Sequence, residues 1–188
     1  GLVSTRGVLP LSWSLDHVGP MTRTVADSAV ILQAIAGYDP GDLTSREFPL
    51  EDYESGLLQS GSGLRVGLAT FSFIDLHPDI GSVVSQAVNV IRDLGCQIQE
   101  VEVPVDSDRT VQAAEAYAVY SPMLEECSRQ CHPQTVRRIQ SGAEFTAAEY
   151  IQKKRELDRL RRQAERIFSE VDLLVTHTAK EPAFFMAE

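Results

Sequence analysis

The chain has 188 residues, 43% of them hydrophobic and 23% charged, which is the balance of a water-soluble globular protein with room for a sizeable core. A formal net charge of −10 speaks against a broad phosphate-binding surface, and hence against nucleic acid as a partner of this chain. No run of about 18 apolar residues is available to span a membrane, and no signal-like apolar stretch opens the sequence.

From Gly1 to Met21 there are few charges and several turn residues, so the segment reads as an ordered loop, with a turn at Gly19-Pro20. Thr24-Val25-Ala26-Asp27 is a helix start: the Thr hydroxyl can accept a free backbone N–H, and the acid three positions on suits the helix dipole. Val25, Ala29, Leu32 and Ala36 share one face of the expected helix, and Gly37 stops it. Residues 38–63, rich in Asp, Glu, Ser, Gly and Pro, read as a surface excursion with a short helix near Leu50–Leu58.

Leu64–Ala69 is strand-like, and Ile80, Val83, Val84, Ala87, Val88, Ile91 and Leu94 form a helical stripe closed by Gly95. Gln97–Val103 is a second strand. Strand, helix and strand at this spacing predict a βαβ unit with parallel strands over 64–104. A helical region is expected over 105–170, with helices at about Thr110–Gln130 and Pro133–Gln140. A second capping box, Thr146-Ala147-Ala148-Glu149, opens a long helix to about Phe168. Its inward face carries Tyr150, Leu157, Leu160, Ala164 and Ile167, and its basic run from Lys153 to Arg166 reads as a solvated face. Val171–Val175 is a last strand, with a loop to residue 188. The fold class is therefore α/β.

The odd, sparse set Cys96, Cys127 and Cys131 fits a reducing cytoplasm better than a disulfide framework. Cys127 and Cys131 on one helix face, with His132, make too few ligands for a structural metal site, so no metal and no cofactor is expected. The histidines are His17, His77, His132 and His177. No G-x-S-x-G elbow accompanies them, and Gly61-Ser62-Gly63 sits in a polar linker.

The run SLDHVGPMTRTVADSAVILQAIAGYDPGDLTS, residues 14–45, resembles the amidase signature family, which includes bacterial amidases and the A subunit of tRNA-dependent amidotransferases. Leu64–Pro104 and Phe145–Phe184 are similar to the family as well, the latter to the helix and strand before its "TPT" loop, where His177 and Lys180 stand in place of the usual prolines. The resemblance implies a large mixed β-sheet covered by helices on both faces. Residues 1–188 would be a single partial domain of it, with a loop and helix at 1–37.

It also implies amide hydrolysis by a Ser–Ser–Lys triad, in which a serine attacks the carbonyl, a second serine and a lysine relay the proton, and backbone N–H groups hold the oxyanion. The triad segment would precede Gly1. None of its residues maps onto this chain, whose lysines are Lys153, Lys154 and Lys180, so no catalytic residue is assigned.

Asp16 and Arg23 match characteristic family positions and support the site. They either shape the wall beside it or pair across a tight turn. Leu11 and Trp13, just before that turn, are the candidate lining of the acyl pocket. The implied partners are a small-molecule amide and either a second copy of the chain or the other amidotransferase subunits. A non-catalytic remnant that keeps the scaffold for binding is the alternative.

Overall fold

The structure, a computed structural model, describes residues 1–184, and the side chain of Cys127 lies outside the described part. The end of the loop expected to reach residue 188 lies outside it too. The backbone forms two compact units: Gly1–Gln59 with Ser107–Arg155, and Ser60–Asp106 with Glu156–Glu188.

The first unit is helical. Its α1, Val25–Ile35, starts where Thr24 accepts a hydrogen bond from the Asp27 N–H at 3.1 Å. Ala29 is buried and Leu32 and Ala36 are half-buried, but Val25 at the start of the expected stripe is exposed. The opening segment lies against the end of this helix through a bridge between Val3 and Ala36 and a bond from Gly37 N–H to Leu2 O. The short α2, Tyr53–Gly56, is capped by Asp52.

The single helix expected over 110–130 is two: α4, Thr110–Tyr120, and α5, Leu124–Gln130, separated by a 3₁₀ turn at Ser121–Met123. Pro122 supplies the break, since it has no N–H to donate into the preceding turn. Then come α6, Pro133–Gln140, with Val136 and Ile139 buried, and a 3₁₀ turn at Ser141–Glu144. The long helix α7, Ala147–Ile167, opens in this unit with the full reciprocal capping box. Glu149 accepts from the Thr146 N–H at 2.7 Å, while the Thr146 hydroxyl accepts from the Glu149 N–H at 3.2 Å.

The second unit is the expected α/β unit. Strand β1, Arg65–Ala69, pairs in parallel with β2, Gln97–Val101, and with β3, Leu173–Val175, giving the order β2-β1-β3. All three described strands run parallel, and the α/β class expected from the sequence stands.

The strands are apolar where the sheet is covered: Val66, Ala69, Val101 and, just before β3, Val171 are buried. The helix α3, Pro78–Asp93, links β1 to β2; His77 caps it and Pro78 sits at its first position. Val88 is buried and Ile80, Val84 and Ile91 are half-buried, whereas Val83, Ala87 and Leu94 of the same stripe are exposed. Arg65 ties the start of β1 to the approach to β3 through two bonds to the Asp172 carboxylate, 2.6 and 3.3 Å.

Candidate functional site

The first unit carries the residues singled out for a site, and a turn at Trp13–Leu15 organises them. The Asp16 carboxylate accepts from the backbone N–H groups of Leu11 and Ser12, at 2.7 and 3.0 Å, while the Asp16 N–H itself donates to Ser12 O at 2.9 Å. Asp16 thus closes its own turn. Its expected pairing with Arg23 does not occur: Arg23 is exposed, and no ion pair joins the two among the described residues. Nor is Gly19-Pro20 a turn. The chain from His17 to Thr22 carries no hydrogen-bonded turn, so nothing brings the Arg23 guanidinium back onto Asp16.

What holds this turn to the rest of the unit is Glu115, on α4. One carboxylate oxygen accepts from the Ser12 hydroxyl at 2.6 Å and the Ser14 N–H at 3.0 Å; the other accepts from the Tyr150 hydroxyl at 2.7 Å. The residue is only 5% exposed. Burial pushes its carboxyl upward, but the hydrogen bonds from Ser12, Ser14 and Tyr150 outweigh it and hold the group below its ordinary value, hence ionised at neutral pH.

Ser12 and Ser14 alternate along the turn with Leu11 and Trp13, the two candidate lining residues. Leu11 lines a cavity of about 440 Å³ whose walls include Ala116, Tyr120 and Ile139, with the guanidinium side chains of Arg109 and Arg138. Neither arginine has an ion-pair partner among the described residues. Trp13, 54% exposed, lines a different cavity, of about 540 Å³, with Val8, Pro10, Val18 and Leu43. The two residues therefore do not share one pocket.

Two acids that sequence reasoning left out shape this region. Glu115 has a local signal, a lone carboxylate four residues after Val111 among alanines on a helix, which burial makes costly unless it is bonded. Asp42, in the supposed surface excursion, is buried. It accepts from the N–H and hydroxyl of Thr5 at 2.7 and 2.9 Å and from those of Thr44 at 2.7 and 2.8 Å. Those bonds, the Thr5 N–H first, hold its carboxyl far below the usual carboxylate range. The pattern Asp39-Pro40-Gly41-Asp42-Leu43-Thr44-Ser45 is the signal, since Asp two residues before Thr forms such turns.

The other flagged residues lie apart from the turn. Among the described residues no group of three or more His, Cys, Asp or Glu is placed to hold a metal. Cys131 lines the Leu11 cavity, and the Cys127 side chain is outside the described part. Lys153 pairs with Asp108 at 3.1 Å. In the second unit, Lys180 offers its backbone oxygen to the His77 N–H, and the Nδ1 of His177 is buried with no hydrogen-bond partner among the described residues. No helix of the described residues is long and apolar enough to cross a membrane.

The whole chain, residues 1–188, matches the family model described as Amidase. It is 37% identical over 190 residues to an amidase from Pseudomonas putida, covering 97% of this chain and 41% of that protein. It is 34% identical over 218 residues to the A subunit of the glutamyl-tRNA(Gln) amidotransferase of Trichlorobacter lovleyi, covering 100% of this chain and 45% of the relative. A solved crystal structure of an amidase superposes with a TM-score of 0.78 at 24% identity, over 97% of this chain and 40% of that one, which is a likeness of fold. The chain thus spans less than half the length of these relatives.

Proposed function

The chain belongs to the amidase family, and on that premise we propose that the complete protein hydrolyses a carboxylic amide to the acid and ammonia or an amine. The reaction in this reading is nucleophilic. A serine attacks the amide carbonyl, a second serine and a lysine move the proton, and the oxyanion is held by backbone N–H groups. None of those groups is assigned to this chain, whose part is to shape the substrate's surroundings.

The observation that carries the substrate side of the reading is the Leu11 cavity. Its size, about 440 Å³, suits a small molecule, and its walls combine apolar and aromatic residues with the polar Gln112, Thr135 and Ser141 and with two arginines that no described carboxylate pairs. A substrate with a hydrophobic body and a carboxylate of its own meets that chemistry. A charge-assisted hydrogen bond to arginine is worth about 1.5–3 kcal/mol, roughly a tenfold to hundredfold preference. Amides bearing an acid are therefore the expected substrates.

The test is ammonia release by the full-length gene product from two matched pairs, benzamide against terephthalamate and hexanamide against adipamate. The acid-bearing member should win each pair by about tenfold or more, and Arg138→Ala should abolish the preference. No turnover of any of the four would remove the hydrolase reading, while turnover without preference would remove the arginine part alone. The 188-residue chain assayed by itself is expected to release no ammonia, because no residue in it matches the Ser–Ser–Lys set. Turnover that disappears on mutating a serine within it would overturn that.

A second reading, the A subunit of a tRNA-dependent amidotransferase, rests on the likeness to the Trichlorobacter lovleyi protein over the whole chain. It calls for partner subunits, and co-purification of the full-length product with them is its test. A cytoplasmic setting, in which Cys96 and Cys131 remain thiols, goes with this proposal.

A further inference from the structure

We infer that Glu115 is a positioning residue for the substrate cavity: by clasping Ser12 and Ser14 of the turn and Tyr150 of α7, it sets Leu11 as the wall of the cavity that holds Arg109 and Arg138. The inference rests on the reading of that cavity as the amide-binding site.

The geometry runs through alternation. Along the turn, Ser12 and Ser14 are bonded to Glu115, and Leu11 and Trp13, the residues next to them, line two different cavities. The Asp16 carboxylate closes the turn on itself, through the N–H groups of Leu11 and Ser12. Glu115 ties that turn to helix α4 and, through Tyr150, to α7. The contact spans 103 residues of sequence, so it joins segments that chain connectivity leaves independent.

Burying a carboxylate costs free energy unless it is bonded, and here both of its oxygens are. Stability alone does not require this arrangement, because hydrophobic side chains of similar volume often replace a buried polar cluster at no loss. What the cluster supplies is direction. The Ser12 hydroxyl and the Ser14 N–H converge on the same oxygen, which fixes the turn on both sides of Trp13 and sets the direction of Leu11 beside it.

The chemistry separates two substitutions. In Glu115→Gln the amide oxygen can face Ser12 and Ser14, and its NH₂ can donate to the Tyr150 phenol oxygen once that hydroxyl turns, so every contact survives. In Glu115→Ala all of them go. Steady-state kinetics of the full-length product on terephthalamate, at a temperature where circular dichroism shows each variant folded, read the site. Glu115→Ala should raise KM about tenfold with kcat changed less than threefold, and Glu115→Gln should stay within threefold of wild type.

In the full-length product with every tryptophan outside these 188 residues replaced by phenylalanine, the fluorescence anisotropy of Trp13, the sole tryptophan within them, reports the order of the turn without any substrate. It should fall in Glu115→Ala and hold in Glu115→Gln. If Glu115→Ala does not fold, Ser12→Ala takes its place: it removes the Ser12 bond of the clasp while Ser14 N–H and the Tyr150 hydroxyl still satisfy the carboxylate, and KM should rise.

An active wild type with unchanged KM in the folded Glu115→Ala, or unchanged anisotropy, overturns the positioning role. A wild type inactive on every amide overturns the cavity reading on which it rests, and the anisotropy then decides whether the clasp orders the turn.

Discussion

Gly142→Ala sets two effects of known size against each other. Gly142 is buried in the 3₁₀ turn Ser141–Glu144 and lies directly against α4. A Cβ built there collides with the backbone oxygen of Ala113 and comes within 2.6 Å of Tyr117 Cβ and 2.7 Å of the Ala113 carbonyl carbon. These are helix atoms, unable to step aside as the end of a flexible side chain would. In favour of alanine, the φ of Gly142 is not in the left-handed region, so restricting the unfolded chain would by itself gain about 0.4–1 kcal/mol. Against it, overpacking in a fitted core costs about 1–3 kcal/mol, and a clash with helix backbone belongs at the upper end.

The net expectation for Gly142→Ala is a loss of about 2 kcal/mol. At about 2–4 °C per kcal/mol for a chain of this size, Tm falls by about 4–8 °C. Gly37→Ala is the control, because nothing lies within 4 Å of the added carbon. Thermal melts of the two variants followed by circular dichroism measure the difference. A Gly142→Ala melt equal to or above that of Gly37→Ala would refute the close approach of this turn to α4. The variant also bears on the site, since Ala113 and Ser141 both line the Leu11 cavity.

The carboxyls of Asp42, Asp108, Glu115 and Asp172 are all held low in the folded chain, Asp108 at about 2, by hydrogen bonds from neighbouring donors. A lowered folded value means the unfolded chain binds more protons in acid. Stability is thus full above about pH 4.5 and is lost as pH falls toward 2, and urea midpoints at pH 7, 4 and 3 should show it. Asp42→Asn turns an NH₂ toward the donors of Thr5 or Thr44, so it should destabilise the chain at pH 7 and flatten that acid slope; an unchanged slope would remove Asp42 from the account. Thr146→Ala removes one half of the α7 capping box and should cost about 1 kcal/mol, read as a Tm lower by about 2–4 °C. The 188-residue chain by itself should associate, its light scattering growing with concentration, and a sharp monomeric melt well above about 65 °C would contradict this.

Features set by neighbouring residues were legible in the sequence. The α7 box is bonded in both directions and Thr24 caps α1 through the Asp27 N–H, because cap and partner lie three residues apart. The βαβ unit stands with its strands within two residues of the expected limits, because period-two and helical patterns are local. The missed break at Pro122 was legible too, in the ring that cannot donate.

The errors arose where distant segments decide. Asp16 and Arg23 are seven residues apart, but the backbone between them holds no turn, and Asp16 found donors in its own loop. Glu115 gathers Ser12, Ser14 and Tyr150 from two distant parts of the chain, and no pattern around Val111 tells which donors reach it.

Burial could not be read for a further reason. Helical periodicity marks a stripe as apolar without saying whether anything covers it. On α3 the stripe predicted to face inward divides into two rows. Ile80, Val84, Val88 and Ile91 are covered to differing degrees, while Val83 and Leu94 remain 64% and 63% exposed. The same holds over the whole chain. Two separate compact units of half its mass would together expose about 10,700 Å², whereas the chain exposes 13893 Å². That excess is a property of the units themselves, since even full separation of compact bodies does not produce it. Much of it is apolar side chain, including Leu9, Trp13, Met21 and Leu43 around the site turn. Periodicity marks these side chains as apolar without saying what covers them, and their exposure is the physical ground for expecting association in solution.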